Sequence, residues 1–251
     1  MENKAEEIQY LNMYLTIAKV VGDRAAEGRI YGNIGNIYYK LGNVQDALEY
    51  HNKCLSIFKE VGDRAGEGIA YYNLGIVSKS LGNFQEAIEY HSKNLLIAKE
   101  VNDRDGEEQA CCNLGNAYVS YGNFQKAIEC HNEDLVIAKE VGNREREGQA
   151  YCNLGIVCCN RGQLEEAIEY LKKCLLIPKA VGDVAGEGIA YGNIGNAYHI
   201  QGKFKEAMEH CNKCLLITKD MGDKAYCNLG NDYHSLSNFQ EAIEYHKKDL
   251  A

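Results

Sequence analysis

The chain has no tryptophan, a single proline at Pro178, and no apolar run near the roughly 18 residues that a membrane helix needs. It reads as a soluble chain without membrane insertion. A secretory signal is missing as well. The opening segment MENKAEEIQYLNMYLTIAKVV threads charges through its apolar positions, which is an amphipathic helix pattern without a continuous apolar core. A cytoplasmic location is therefore expected. Cationic excess is lacking too: 27 Lys and Arg face 36 Asp and Glu, for a formal net charge of −9. Duplex DNA and anionic membranes require clustered cations, so nucleic acid is not expected as a partner.

Cysteine is plentiful, but nothing in its pattern suggests a disulfide framework. There are eleven, an odd number, with adjacent pairs at Cys111 and Cys112 and at Cys158 and Cys159. They read as small, reduced core residues.

What is present is a period. The segment GDRAGEGIAYYNLGIVSKSLGNFQEAIEYHSKNLLIAKEV, from Gly62 to Val101, recurs with substitutions, and one glycine of it falls at Gly35, Gly75, Gly115, Gly155 and Gly195, 40 residues apart. A further copy has Gly230, five residues early. A period of this length marks a solenoid, in which each unit buries its apolar face against its neighbours. Two blocks per unit have helical spacing, as in Ala70, Tyr71, Leu74 and Val77, then Ala87, Ile88, Leu95 and Ile97. These are helix A and helix B. Gly82 can supply the left-handed residue that ends helix A, and Asn83 with Glu86 can cap helix B as a capping box. Gly62 followed by Asp63 repeats this grammar at the next boundary.

The reading is a single array over 1–251: a half repeat (helix B only) at 1–21, full repeats at 22–61, 62–101, 102–141, 142–181 and 182–221, and a shortened one at 222–251. Neither end carries a polar capping repeat, so a fragment of a longer array, or ends that dock onto something, is expected. Pro178 should end or kink its helix. The five-residue deletion after Asp223 should shorten the last helix A.

The unit resembles the tetratricopeptide repeat. Its first aromatic position is met by Tyr31, Tyr71, Tyr151, Tyr191 and Tyr226, with Cys111 departing, and its second by Tyr38, Tyr118, Tyr198 and Tyr233, with Ser78 and Cys158 departing. The helix B alanine is present six times, at Ala47, Ala87, Ala127, Ala167, Ala207 and Ala242. With a 40-residue period and the motifs GDRAxEGxAYxNLGN and AIEYHxKxLxIAKEVGD, the chain is similar to two animal subfamilies, the Pins-type G-protein-signalling modulators and tetratricopeptide repeat protein 28. The resemblance implies an all-α, right-handed superhelix of antiparallel helix pairs whose A helices line a concave groove. It also implies a non-catalytic scaffold that holds an extended peptide of a partner, as the signalling modulators do in cell-polarity assemblies. No Gα-binding motif occurs in this chain.

Taking i, i+4, i+7 and i+11 along each A helix gives the groove stripe. It holds Arg29, Asn33, Asn36 and Lys40; Ile69, Asn73, Ile76 and Ser80; Gln109, Asn113, Asn116 and Ser120; Gln149, Asn153, Ile156 and Asn160; Ile189, Asn193, Asn196 and Ile200; and Lys224, Asn228, Asn231 and Ser235. The stripe contains no acid, which puts the 36 carboxylates on B helices and repeat junctions. A ladder of side-chain amides suits a peptide backbone, which offers one N–H and one C=O per residue. The candidate contacts are Arg29, Asn33, Asn36, Asn73, Gln109, Asn113, Asn116, Gln149, Asn153, Asn193, Asn196, Asn228 and Asn231. Two roles are open to the Asn that precedes each Leu-Gly or Ile-Gly pair: meeting the ligand, or organising neighbouring helices. A carboxylate clamp for a chaperone tail would need further cations where Ile69 and Gln109 stand. Self-association through the open ends is the alternative to groove binding.

No catalytic or metal constellation is read from the chain, and no cofactor is expected. His51, His91, His131 and His246 share a helix B position that also accepts Leu171 and Cys211, which is the behaviour of a packing site. Cys211 and Cys214 with His210 lie inside one helix without a second ligand pair.

Overall fold

Eleven α-helices and no strand occupy residues 2–217, the residues that the computed structural model describes. They are α1 (Glu2–Val21), α2 (Arg24–Lys40), α3 (Val44–Val61), α4 (Arg64–Ser80), α5 (Phe84–Glu100), α6 (Arg104–Tyr121), α7 (Phe124–Val141), α8 (Arg144–Asn160), α9 (Leu164–Val181), α10 (Val184–Ile200) and α11 (Phe204–Ile217). The all-α helix-pair expectation holds. Even-numbered helices are A helices and odd-numbered ones B helices, and each pair falls inside one 40-residue window. The helices form two compact units, residues 1–130 and 131–251, with the division inside α7. In the first, α2 packs on α3 and α4 on α5, while α3 against α4 and α5 against α6 join successive repeats. In the second, α8 packs on α9, α10 on α11, and α9 against α10. The deletion after Asp223 lies outside the described residues.

Capping explains why helices break where they do. Each A helix opens on Asp23, Asp63, Asp103, Asn143 or Asp183, whose side chain accepts a hydrogen bond from the backbone N–H three residues on at 2.8–3.1 Å. The B helices differ from expectation. Asn83 stands at the N-cap of α5 but makes no cap bond; its Nδ2 donates weakly to Glu86 at 3.5 Å. Asn123, at the start of α7, does cap, accepting from the Lys126 N–H at 3.2 Å. Gly82 takes the left-handed conformation at φ +79°, and Asn102 is the one non-glycine among the described residues to do so, at φ 56°.

Pro178 does not end its helix. Helix α9 continues to Val181 and closes on Gly182, whose N–H donates to the Pro178 carbonyl. Proline here forfeits one N–H in the final turn, while its buried ring packs where Gly186 leaves room: a Cβ there would lie 3.0 Å from Pro178 Cβ.

The invariant glycine of helix A permits close approach to helix B. A Cβ on Gly75 would lie 2.4 Å from His91 Cε1, and one on Gly35 would lie 2.7 Å from His51 Cε1. In the second unit Gly155 faces Leu171 and Gly195 faces Cys211, each with a clash of 2.6 Å. The histidines are thus packing residues, buried to about 1% exposure or less. Burial pushes His51, His91 and His131 down to about 4.

Two ladders run beside this core. Tyr31, Tyr71, Tyr151 and Tyr191 each lie between two lysines, one from the preceding B helix and one from their own, as Lys59 and Lys93 flank Tyr71 at 5.3 and 5.4 Å from the ring centroid. The other ladder corrects the placement of acids. Glu27, Glu67, Glu107 and Glu147 lie buried in the first turns of A helices, each bonded by the arginine three residues earlier at 2.6–2.8 Å. Arg24 and Arg64 also reach the end of their B helix, to Glu60 and Glu100.

Candidate functional site

In the first unit, the A-helix stripe and the end of one B helix enclose a cleft of about 330 Å³. Asn36 of α2, Ile69 and Asn73 of α4, and Gln109 of α6 line it, so three A helices contribute to one site. Its floor is α5: Asn94 there is 9% exposed and donates from Nδ2 to the Gly68 carbonyl at 3.0 Å, with Ile97 and Ala98 beside it. Asp103 stands at the wall, its carboxylate already accepting the Gly106 N–H.

The equivalent cleft of the second unit is wider, about 650 Å³, between α8, α9 and α10. Gln149 and Ile189 represent the stripe there, Cys152, Cys174 and Ile177 form the interior, and Glu145 and Asp183 bring carboxylates to the wall. The A-helix face is therefore not free of acids, although the stripe itself is.

The remaining candidates divide by what their side chains already do. Arg29, Asn33 and Asn196 are exposed, and with Asn36 and Asn73 they make no side-chain hydrogen bond to another described residue. Asn113 donates to the Gln109 carbonyl of its own helix at 2.9 Å, and Asn116 faces Cys112 Sγ at 3.8 Å. Asn153 is buried at 8% exposure and accepts from Gln149 Nε2 at 3.1 Å; Asn193 donates to Cys152 Sγ of the neighbouring A helix at 3.2 Å. Asn193 thus spends its amide on helix-to-helix organisation, whereas Asn153 accepts within its own helix. Asn228 and Asn231 lie outside the described residues.

Reading only the stripe of the A helices left out Tyr72 and Cys152, which lie on A helices but off the stripe, the cap residue Asp103, and Asn94 and Cys174 of B helices. A signal for the B-helix contributors was present: the slot filled by Cys54, Asn94, Asp134, Cys174 and Cys214 stays polar or sulfur-bearing amid an apolar face.

Stacked helix hairpins with a small-residue seam and a cleft between successive first helices define an all-α repeat protein. The family model for the tetratricopeptide repeat matches residues 26–82, 67–140, 112–180, 146–220 and 187–250, and the chain belongs to that family. Among curated proteins, human G-protein-signaling modulator 1 is 52% identical over 44 residues, which is 18% of this chain and 6% of that protein. The chain thus spans a small part of the curated relatives it matches. Among solved structures, a signal transduction ATPase with numerous domains and a tetratricopeptide repeat sensor, from Pyrococcus horikoshii, superposes with a TM-score of 0.79 at 19% identity, over 100% of this chain and 41% of that one. Aspartyl phosphate phosphatase F from Bacillus subtilis gives 0.71 at 18% identity, over 97% and 64%. At these identities the likeness is one of fold. No helix among the described residues is long and apolar enough to cross a membrane.

Proposed function

We propose that this chain is a non-catalytic protein-interaction scaffold that binds an extended peptide of a protein partner along the face of its A helices. The observation that carries the reading is the cleft of the first unit, where Asn36, Asn73 and Gln109 from three consecutive A helices converge beside Ile69. Amides there supply donors and acceptors for a peptide backbone, Ile69 and Ile97 supply apolar contact, and the exposed Arg29 guanidinium offers a partner for a carboxylate of the ligand. The short similarity to a G-protein-signaling modulator supports a role in signalling; cell-polarity assemblies in the cytoplasm are the setting we propose for it. The test is selection from a displayed peptide library on the wild-type chain, followed by titration of the selected peptides against a folded Asn36→Ala, Asn73→Ala, Gln109→Ala variant. A tenfold or greater loss of affinity is expected; equal affinity for both proteins would remove the cleft as the site.

A second reading, self-assembly, is favoured by α1. Tyr10, Met13, Tyr14, Ile17 and Val21 form one exposed apolar row on it, while Leu15 and Ala18 are buried. Ile17 holds the place of Ile57, which packs against Gly28 of an A helix, so the row is shaped for an A helix; on the assembly reading a second copy supplies it. Sedimentation at rising concentration separates the readings: mass growth abolished by Ile17→Asp supports assembly, and a constant monomer mass excludes it. Leu250, at the opposite end, lies outside the described residues.

A further inference from the structure

The wider cleft holds two thiols for which peptide binding has no use. Cys152 of α8 and Cys174 of α9 are 6% and 7% exposed in its interior and are hydrogen-bonded to each other. From α10, Asn193 Nδ2 donates to Cys152 Sγ at 3.2 Å. Their proximity is a property of the repeat. The same two slots, 22 residues apart, hold Gly32 and Cys54 in the first repeat and Gly192 and Cys214 in the fifth. A Cβ built on Gly32 would stand 3.3 Å from Cys54 Sγ, and one on Gly192 would stand 3.6 Å from Cys214 Sγ. In a disulfide the corresponding Cβ to Sγ separation is about 3 Å, as follows from an S–S bond of about 2.05 Å. In those two repeats the backbone therefore brings the slots to within a few tenths of an ångström of the Cβ to Sγ separation of a disulfide. Among the described repeats, only the fourth has cysteine in both; the second has Tyr72 with Asn94 and the third Cys112 with Asp134.

We propose that Cys152 and Cys174 form a redox-active dithiol, which hydrogen peroxide closes to a reversible disulfide joining α8 to α9. The Cys152 thiolate sulfur attacks one peroxide oxygen; the O–O bond breaks, leaving a sulfenic acid on Cys152 and a hydroxide that takes up a proton to become water. The Cys174 sulfur then attacks the sulfenic sulfur, the S–O bond breaks, and the departing hydroxide combines with the proton of Cys174 as a second water. Two thiols and one peroxide yield one disulfide and two waters. The order of attack follows from the hydrogen bonds. Asn193 and the Cys174 thiol both donate to the Cys152 sulfur and lower its thiol, whereas the same bond and burial raise Cys174. Elsewhere burial pushes Cys54 up to about 12 and Cys158 up to about 11, which leaves those thiols protonated and inert. The cleft of about 650 Å³ admits a peroxide molecule to the pair.

The full chain is treated with hydrogen peroxide, its remaining thiols are alkylated, and it is digested without reduction for mass spectrometry. The expected product is a Cys152–Cys174 cross-link, lighter by two hydrogens than the two thiol peptides and lost on treatment with dithiothreitol. In Cys174→Ser, verified as folded by circular dichroism, Cys152 should accumulate as sulfenic acid and take a dimedone label that Cys54 and Cys158 do not. Absence of the cross-link, or equal labelling of Cys54, Cys152 and Cys158, overturns the proposal.

Discussion

Replacing His51, His91 and His131 by leucine, the residue the fourth repeat uses at Leu171, should flatten the dependence of stability on pH. Each imidazole is buried and held to about 4, against about 6.5 in an unfolded chain. Well above pH 6.5 both states carry the neutral ring and the penalty vanishes. As pH falls below 6.5 the unfolded chain takes up protons that the folded chain refuses, and stability is lost progressively until pH reaches about 4. With those two values, linkage gives about 0.2 kcal/mol per histidine at pH 7 and about 2 kcal/mol at pH 5, so three sites together cost about 5 kcal/mol across that interval. That is a large share of the 5–15 kcal/mol typical of folded proteins. The triple variant keeps the Arg–Glu ladder, so whatever the ladder contributes is common to both proteins. Urea unfolding followed by circular dichroism at pH 7 and pH 5 measures it: the wild-type midpoint should fall sharply, and that of the triple leucine variant should hold. Equal falls in both proteins would mean that the imidazoles do not resist protonation, and would refute the reasoning.

Other consequences are equally direct. Gly75→Ala places a methyl 2.4 Å from His91 and should cost about 2 kcal/mol or more by urea unfolding, with partial recovery when His91→Ala is added. Pro178→Ala restores a helical N–H at a position where Ala98 and Ala138 already stand in other repeats, and should raise stability by about 1 kcal/mol or more. Asp63→Ala removes the cap bond to the Gly66 N–H and should lower stability by about 1 kcal/mol, whereas Asn83→Ala, at a position without a cap bond, should change it by less than about half that.

Much of the fold is readable in the period itself. Forty residues, a fixed glycine and a junction Gly-Asp suffice to place the helices, because nearest-neighbour packing is all that a repeat needs. Details that depend on competition between partners are less legible. Asn83 has the sequence of a capping box, yet Glu86 draws its amide away from the helix end. Pro178 reads as a terminator, but a last-turn proline loses only one bond and gains a glycine-lined seat. At the candidate site, Asn36, Asn73 and Gln109 fall together as helical spacing on A helices suggests, whereas Asn153 and Asn193 turn their amides on neighbouring residues. The floor residue Asn94 was hidden because a B helix contributes it. Distances between helices decide such cases, and they are not written in the spacing along one helix.

The Lys–Tyr–Lys ladder also sets where the first unit can come apart. Every tyrosine in it ties a repeat to the one before, since one of its lysines belongs to the preceding B helix. In the third repeat Cys111 stands where the ring would be, and Glu133 where its own lysine would be. Without an aromatic face, the junction between α5 and α6 relies on apolar packing such as Ile88 against Leu114 and Ala117. In a one-dimensional stack, cooperativity passes from unit to unit only as strongly as the weakest coupling allows. That seam is where hydrogen exchange would first record one group of helices opening while its neighbours stay closed.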